Sequence, residues 1–344
     1  MKIYRHKIIN RSNLHYYAAA GFSLVELMVS IAIGLIVILA LTGVLLGSST
    51  NSKTNERSSE LQGNGRFALD HLKREIRHAG YRGNSWAEPN LPSTTITPIT
   101  NECLATSAAA GTFVTNIRQG IWGSSDNNPF SANCLATGYL RGDVLVVRRV
   151  GFAPLSGNST TNTLYFRSSY SVGEVFRGNG SAATTGSPAI NGTPLNDFVL
   201  QEFIYFIGTD DNNASVPALR RITLKGNGED CNGITLSAVT MCNEMIISGI
   251  EHMHVQYGRL DTALNTQYYS GANISGTSSD SLTTLTSYAW DDVNSARVWL
   301  IARSANIEKG YSNTDSYVMG DLTYGPVSDG FRRQLFTTLL QLRN

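Results

Sequence analysis

Few side chains in this sequence stand where they could do chemistry, and most keep company that accounts for them without it. The exception is Glu26. It lies in a run from Phe22 to Leu46 that is apolar except for Ser23, Ser30, Thr42 and Glu26 itself. A carboxylate one turn into such a run costs roughly 2.5–3.5 kcal/mol on membrane-insertion scales. It must therefore either reach back to polar headgroups or meet a partner. His252 and His254 share one face of a strand-like stretch with Gln256 and could hold a metal. With no acidic residue in that alternation, a solvated pair on a sheet surface is expected. Asp210-Asp211-Asn212-Asn213 and Glu229-Asp230 offer oxygen ligands, but neither follows the EF-hand order, and turn chemistry explains both. The doublets Arg148-Arg149, Arg220-Arg221 and Arg332-Arg333 stand near aromatic residues, as in nucleic-acid binders, yet form no basic stripe. Solvated strand faces are expected there, and direct DNA binding is not. Gly63-Asn64-Gly65-Arg66-Phe67-Ala68 has the spacing of a dinucleotide loop without the strand that must precede it. There is no G-x-S-x-G, no H-E-x-x-H and no Walker-type phosphate loop. The expectation is a protein that is not an enzyme and uses neither metal nor cofactor.

The elements that position Glu26 are legible in the charge pattern. The 344 residues carry 27 Lys and Arg against 26 Asp and Glu, a net charge of +1. That balance argues against a protein built to neutralise phosphates over a broad face. It is unevenly spread: residues 1–25 hold Lys2, Arg5, Lys7 and Arg11 and no acid. From Leu27 to Gly47 there are 21 residues without a charge. At about 1.5 Å per residue, a helix of that length spans a hydrocarbon core of about 30 Å. The positive-inside bias puts the basic head in the cytoplasm and the chain after about residue 50 outside. A cleaved secretory signal would have a shorter apolar stretch followed by a small-residue cleavage site. Here the segment Ser48 to Glu60 is polar, and the small residues Ala18, Ala19, Ala20 and Gly21 come before the apolar run.

The string Gly21-Phe22-Ser23-Leu24-Val25-Glu26-Leu27, behind a basic leader and ahead of an apolar span, resembles the processing site of type IV prepilins and pseudopilins. The resemblance implies cleavage between Gly21 and Phe22 by a prepilin peptidase and N-methylation of Phe22. It also makes Glu26 the fifth residue of the mature chain, whose carboxylate meets the N-terminal amine of a neighbouring subunit during assembly. An amine and a carboxylate attract strongly in a low dielectric, and breaking a buried pair costs about 3–5 kcal/mol.

Beyond the span, Leu61, Gly65, Ala68, Leu69, Leu72, Ile76 and Ala79 recur at three- and four-residue steps, the stripe of an amphipathic helix. Gly63 and Gly65 weaken it by about 1 kcal/mol each relative to Ala, and Gly80 and Gly83 are candidate stops. Gly34, Gly43 and Gly47 would let the membrane half bend or pack closely. After Tyr81, loops rich in Ser, Thr, Asn and Gly separate β-like runs at Asp143–Val150, Thr163–Ser168, Phe198–Ile207, Leu219–Leu224, Met245–Tyr257, Ala296–Arg303 and Gln334–Leu342. Cys103, Cys134, Cys231 and Cys242 all lie outside the cytoplasm in this topology, where disulfides form. Proximity suggests Cys103–Cys134 and Cys231–Cys242, and two other pairings stay open.

Further resemblance lies near the C-terminus. Residues Gly249 to Gly258 are similar to the strand ending in Tyr-Gly of PilW-type minor pilins and the related J-type pseudopilins. Ala296 to Ser304 and Phe331 to Asn344 resemble two further strands of those proteins. The fold expected is α+β and pilin-like: residues 1–21 a leader, 22–47 the transmembrane half of a helix, 48–82 its amphipathic half, and 83–344 a periplasmic antiparallel β-rich head with long insertions. The implied function is that of a minor pilin. It would co-assemble with other minor pilins and the major pilin through N-terminal helices, from the bacterial inner membrane into a pilus it initiates or caps. Motility, adhesion and DNA uptake are the uses such a pilus would serve. The alternatives are a minor pseudopilin of a type II secretion system and a membrane-anchored periplasmic enzyme or receptor.

Overall fold

The computed structural model describes residues 21–85, 96, 98–103, 112–170, 173–182, 195–261, 263–274 and 290–342. The basic leader up to residue 20, most of the long loops and the last two residues lie outside that set. The chain divides into two compact units, 1–56 and 57–344.

Helix α1 runs over Leu24–Arg77. No proline occurs before Pro89, and the first half is rich in Leu, Ile and Ala, so nothing interrupts the backbone ladder. In the first unit its large apolar side chains are exposed, from Leu24 through Leu46. One 18-residue window in α1 is long and apolar enough to cross a membrane. A Cβ added at Gly34, Gly43 or Gly47 would meet nothing within 4 Å.

In the second unit α1 buries Leu61, Gly65, Ala68, Leu72, Glu75 and Ile76. Five of these follow from the apolar stripe; Glu75 is the acidic surprise. The helix ends at Arg77, before the expected stops. Gly80 takes a left-handed φ of 80° and donates its N–H to the Arg148 carbonyl at 2.8 Å, turning the chain onto a sheet.

The head is built on two antiparallel sheets. The first contains β1 (Ile121–Ser124), β2 (Arg141–Val150), β3 (Leu164–Ser168), β4 (Gly173–Arg177), β5 (Asn196–Thr209), β6 (Pro217–Lys225) and β9 (Thr240–Ser248). Its order is β1-β2-β5-β3-β4, with β6 on β5 and β9 on β6. The 14-residue β5 branches the sheet, pairing β3 through Phe166–Phe198 and β6 through Ile204–Ile222. A one-turn helix α2 (Thr112–Thr115) precedes β1, and a small hairpin of β7 (Asp230–Cys231) and β8 (Ile234–Thr235) leads into β9.

The second sheet has the order β11-β10-β12-β15. Its strands are β10 (Ile250–Leu260), β11 (Thr266–Ser270), β12 (Val293–Arg303) and the C-terminal β15 (Arg333–Gln341). A separate hairpin, β13 (Tyr317–Met319) with β14 (Leu322–Tyr324), lies between β12 and β15 in sequence. Its Met319 forms a small buried cluster with Trp299 and Ile301.

All seven expected strands exist, with one break. The stretch Met245–Tyr257 is two strands, because Gly249 adopts φ +79° and sends β9 into one sheet and β10 into the other. Apart from β3, the strands of two to five residues were not legible, being too short to show alternation.

Candidate functional site

At the N-terminal end, Gly21, Phe22 and Ser23 precede the first helical turn, and Phe22 is 84% exposed. The Ser23 hydroxyl accepts a hydrogen bond from the Val25 N–H at 3.3 Å, and a Glu26 carboxylate oxygen accepts one from the Ser23 N–H at 3.4 Å. This is a reciprocal capping box. Its signature, Ser followed three residues later by Glu, is embedded in the processing motif itself. The other polar side chains of the run satisfy themselves: Ser30 and Thr42 donate to the carbonyls of Glu26 and Ile38, four residues back. Glu26 has no ion-pair partner among the described residues, and its carboxylate caps the N–H of Ser23, the residue after Phe22. It can accept a cation there, beside backbone donors that favour a negative charge at a helix N-terminus.

Within the head, Cys103 is joined to Cys134 and Cys231 to Cys242. Cys134, Cys231 and Cys242 line one cavity of about 390 Å³.

The arginine doublets correct the expectation of solvated strand faces. Arg148 is fully buried, with Nε 2.6 Å from Glu202 Oε1 and further bonds to the carbonyls of Phe113 and Gln119. Burial lowers the pKa of Arg148 and raises that of Glu202 to about 7, so in both partners desolvation outweighs pairing. Arg149 reaches Glu75 of α1 at 2.9 Å, which is why an acid lies on the buried side of the helix. Arg220 pairs with Asp211, Arg221 with Glu244, Arg332 with Glu308, and Arg333 with Glu251 and Asp329. Apart from Asp329, four residues before Arg333, and Asp211, nine before Arg220, the carboxylates lie 23 or more positions away, so residue order alone could not reveal them.

His252 and His254 are also corrected: both are buried. The ring of His254 lies between Asp143 of β2, 3.0 Å from Nδ1, and Asp321 of the β13–β14 turn, 2.8 Å from Nε2. Burial alone would lower its pKa, but the two carboxylates more than offset this and raise it. His252 is lowered, chiefly by burial. The two carboxylates sit on opposite nitrogens and converge on no common point. No cluster of three or more metal-ligating side chains occurs among the described residues. Asp143 also accepts the Val255 N–H at 2.8 Å, tying the first sheet to the second.

Asp210 accepts the N–H groups of Asn212 and Asn213, and Glu229 that of Gly226. Both acidic clusters thus form turns. The glycines of Gly63-Asn64-Gly65 lie inside α1. Gly65 is where the C-terminal strand touches the helix: a Cβ there would fall 2.1 Å from the Phe336 ring.

A lone carboxylate at the start of an apolar helix, and a β-rich antiparallel head, define a protein of the pilin-like class. Residues 17–42 match the family model described as Prokaryotic N-terminal methylation motif, and residues 204–344 match that described as Type IV Pilus-assembly protein W. Together the two matches support a type IV pilin-like minor pilin of the PilW family. No curated protein and no solved structure matches it.

Proposed function

We propose that this chain is a minor pilin that initiates or caps a type IV pilus together with other minor pilins and the major pilin. A prepilin peptidase cuts between Gly21 and Phe22 and methylates the new N-terminus. The mature chain waits in the bacterial inner membrane with its N-terminus cytoplasmic and its head periplasmic. The amphipathic half of α1 and the residues after it form that head, and the pilus carries the assembled protein to the cell surface.

The observation that carries this reading is the position of the Glu26 carboxylate. It is the only charge in the run from Phe22 to Leu46, and it bonds the N–H of the residue next to Phe22. Cleavage after Gly21 would create a cationic amine one residue away. That amine can be exchanged for the amine of a neighbouring subunit, and in a low-dielectric setting only a partner in register satisfies the carboxylate. The match of residues 204–344 to the pilus-assembly family supports the pilus reading over the secretion pseudopilin.

N-terminal sequencing and mass measurement of the membrane-extracted protein test the processing step. A chain beginning at methylated Phe22 is expected, and one still beginning at Met1 removes the proposal. Glu26→Ala is expected to leave cleavage and insertion intact while co-purification with other pilins falls at least tenfold. Co-purification at the unaltered level would mean that Glu26 does not drive assembly.

A further inference from the structure

The positive charges of the head fall into two populations. The three arginine doublets are consumed internally, each arginine meeting a carboxylate from another element. Those on the outward side of α1 are not. Arg66, Arg74 and Arg77 are exposed and Lys73 is half-buried, over three turns of one helix. Arg66, Lys73 and Arg77 have no ion-pair partner among the described residues, and Arg74, 65% exposed, lies 3.6 Å from Glu75, whose bonds go to Arg149. Asp70 is the only exposed acid in that stretch. Among these charges stands Phe67, half exposed and stacked on His71 at 6.3 Å.

We infer that this face of α1 docks a partner helix carrying carboxylates at helical spacing, with a cation opposite Asp70. The inference rests on the reading of the chain as a co-assembling pilin, and it names the chemistry of the neighbour.

Three features favour a protein helix. Arg66, Asp70, Arg74 and Arg77 follow steps of four, four and three, so their charges form one row along the helix. Phe67 supplies an apolar anchor of the kind found at the centre of protein interfaces. The signs along the row run plus, minus, plus, plus, a pattern a facing helix can read in register. A second copy of this chain in the same register would place like charges opposite each other, so the row selects a different subunit. A polyanion such as DNA is disfavoured because Asp70 interrupts the row and the arginine doublets of the head are paired.

The test uses the full chain in the envelope of cells that assemble the pilus. The photo-reactive residue p-benzoyl-L-phenylalanine is placed at Phe67, and the cross-linked peptide is sequenced. The expected adduct is a helix of another pilin-like subunit with at least two Asp or Glu within three turns. In the background of Arg66→Glu with Arg77→Glu, the yield should fall at least tenfold while the circular dichroism of the purified chain is unchanged. An adduct with a neutral or basic segment, with this same chain, with nucleic acid or with lipid overturns the inference, as does no adduct. A chain that is still processed at Gly21 and still co-purifies with other pilins would then leave the proposed function standing and remove only this surface.

Discussion

Glu26 and Glu202 are both carboxylates in apolar surroundings, and the contrast between them separates the two halves of this molecule. Glu202 is enclosed by the head's core, and the same chain supplies its cation, Arg148, at 2.6 Å. Even so, burial moves both groups toward their neutral forms. Glu26 has a backbone N–H at 3.4 Å and no cation of its own among the described residues. A charge buried for architecture is paired at the moment of folding. Glu26 is capped only by its own helix terminus, and in the proposed assembly role a stronger partner would take it.

The largest effect should come from removing the internal cation. Arg148→Met leaves Glu202 buried without its partner and is expected to cost about 3–5 kcal/mol at pH 8, measured by urea unfolding. The loss should shrink at pH 4. Glu202 titrates near 7 when folded, above its ordinary 4.5, so its ionised form opposes folding as pH rises through that interval. An equal loss at both pH values would mean that the charge is not what matters.

Next come the disulfides. Replacing Cys103 and Cys134 by Ser should cost about 4 kcal/mol, and replacing Cys231 and Cys242 about 3 kcal/mol, because the first closes the longer loop. Their sequence separations are 31 and 11. Thermal melting of the two variants checks the order.

Gly65→Ala should lower stability by about 1–3 kcal/mol despite Ala's better helix propensity, since the new methyl meets the Phe336 ring. The added change Phe336→Ala should relieve the clash, read as a smaller combined shift than the two single losses summed.

The smallest effect is local. His254 has a raised pKa, so its contribution is full below its ordinary value of 6.5 and is lost as pH climbs through the raised one. Neutral imidazole can donate to only one of Asp143 and Asp321. Hydrogen exchange over residues 317–324, corrected for its intrinsic pH dependence, should quicken between pH 6 and pH 9 by an amount equivalent to about 1–3 kcal/mol. His254→Gln should remove that dependence.

The sequence carried the fold to the extent that periodicity and composition carry it. Long strands such as β2, with Val144-Leu145-Val146-Val147, and β12, with Val298-Trp299-Leu300-Ile301-Ala302, carry contiguous apolar runs and were legible, as was the buried stripe of α1. Gly249 was visible as a glycine, but only its left-handed φ divides one apparent strand between two sheets. The processing motif could be read because its residues are contiguous. The charge pairs could not, since Arg333 finds Glu251 from 82 positions away and Arg149 finds Glu75 from 74. The alternation around His252 and His254 showed no acid because both carboxylates arrive from other elements.

The contact between Gly65 and Phe336 joins residues separated by 271 positions, near the two ends of the head. A ribosome and a translocation channel deliver the first of these long before the last. The stretch of α1 around Gly65 therefore stays uncovered by Phe336 until β15 has emerged, and long-range pairings of this kind form slowly. The contact at Gly65 thus closes only once the last strand has been made, which ties the finished head to an intact β15.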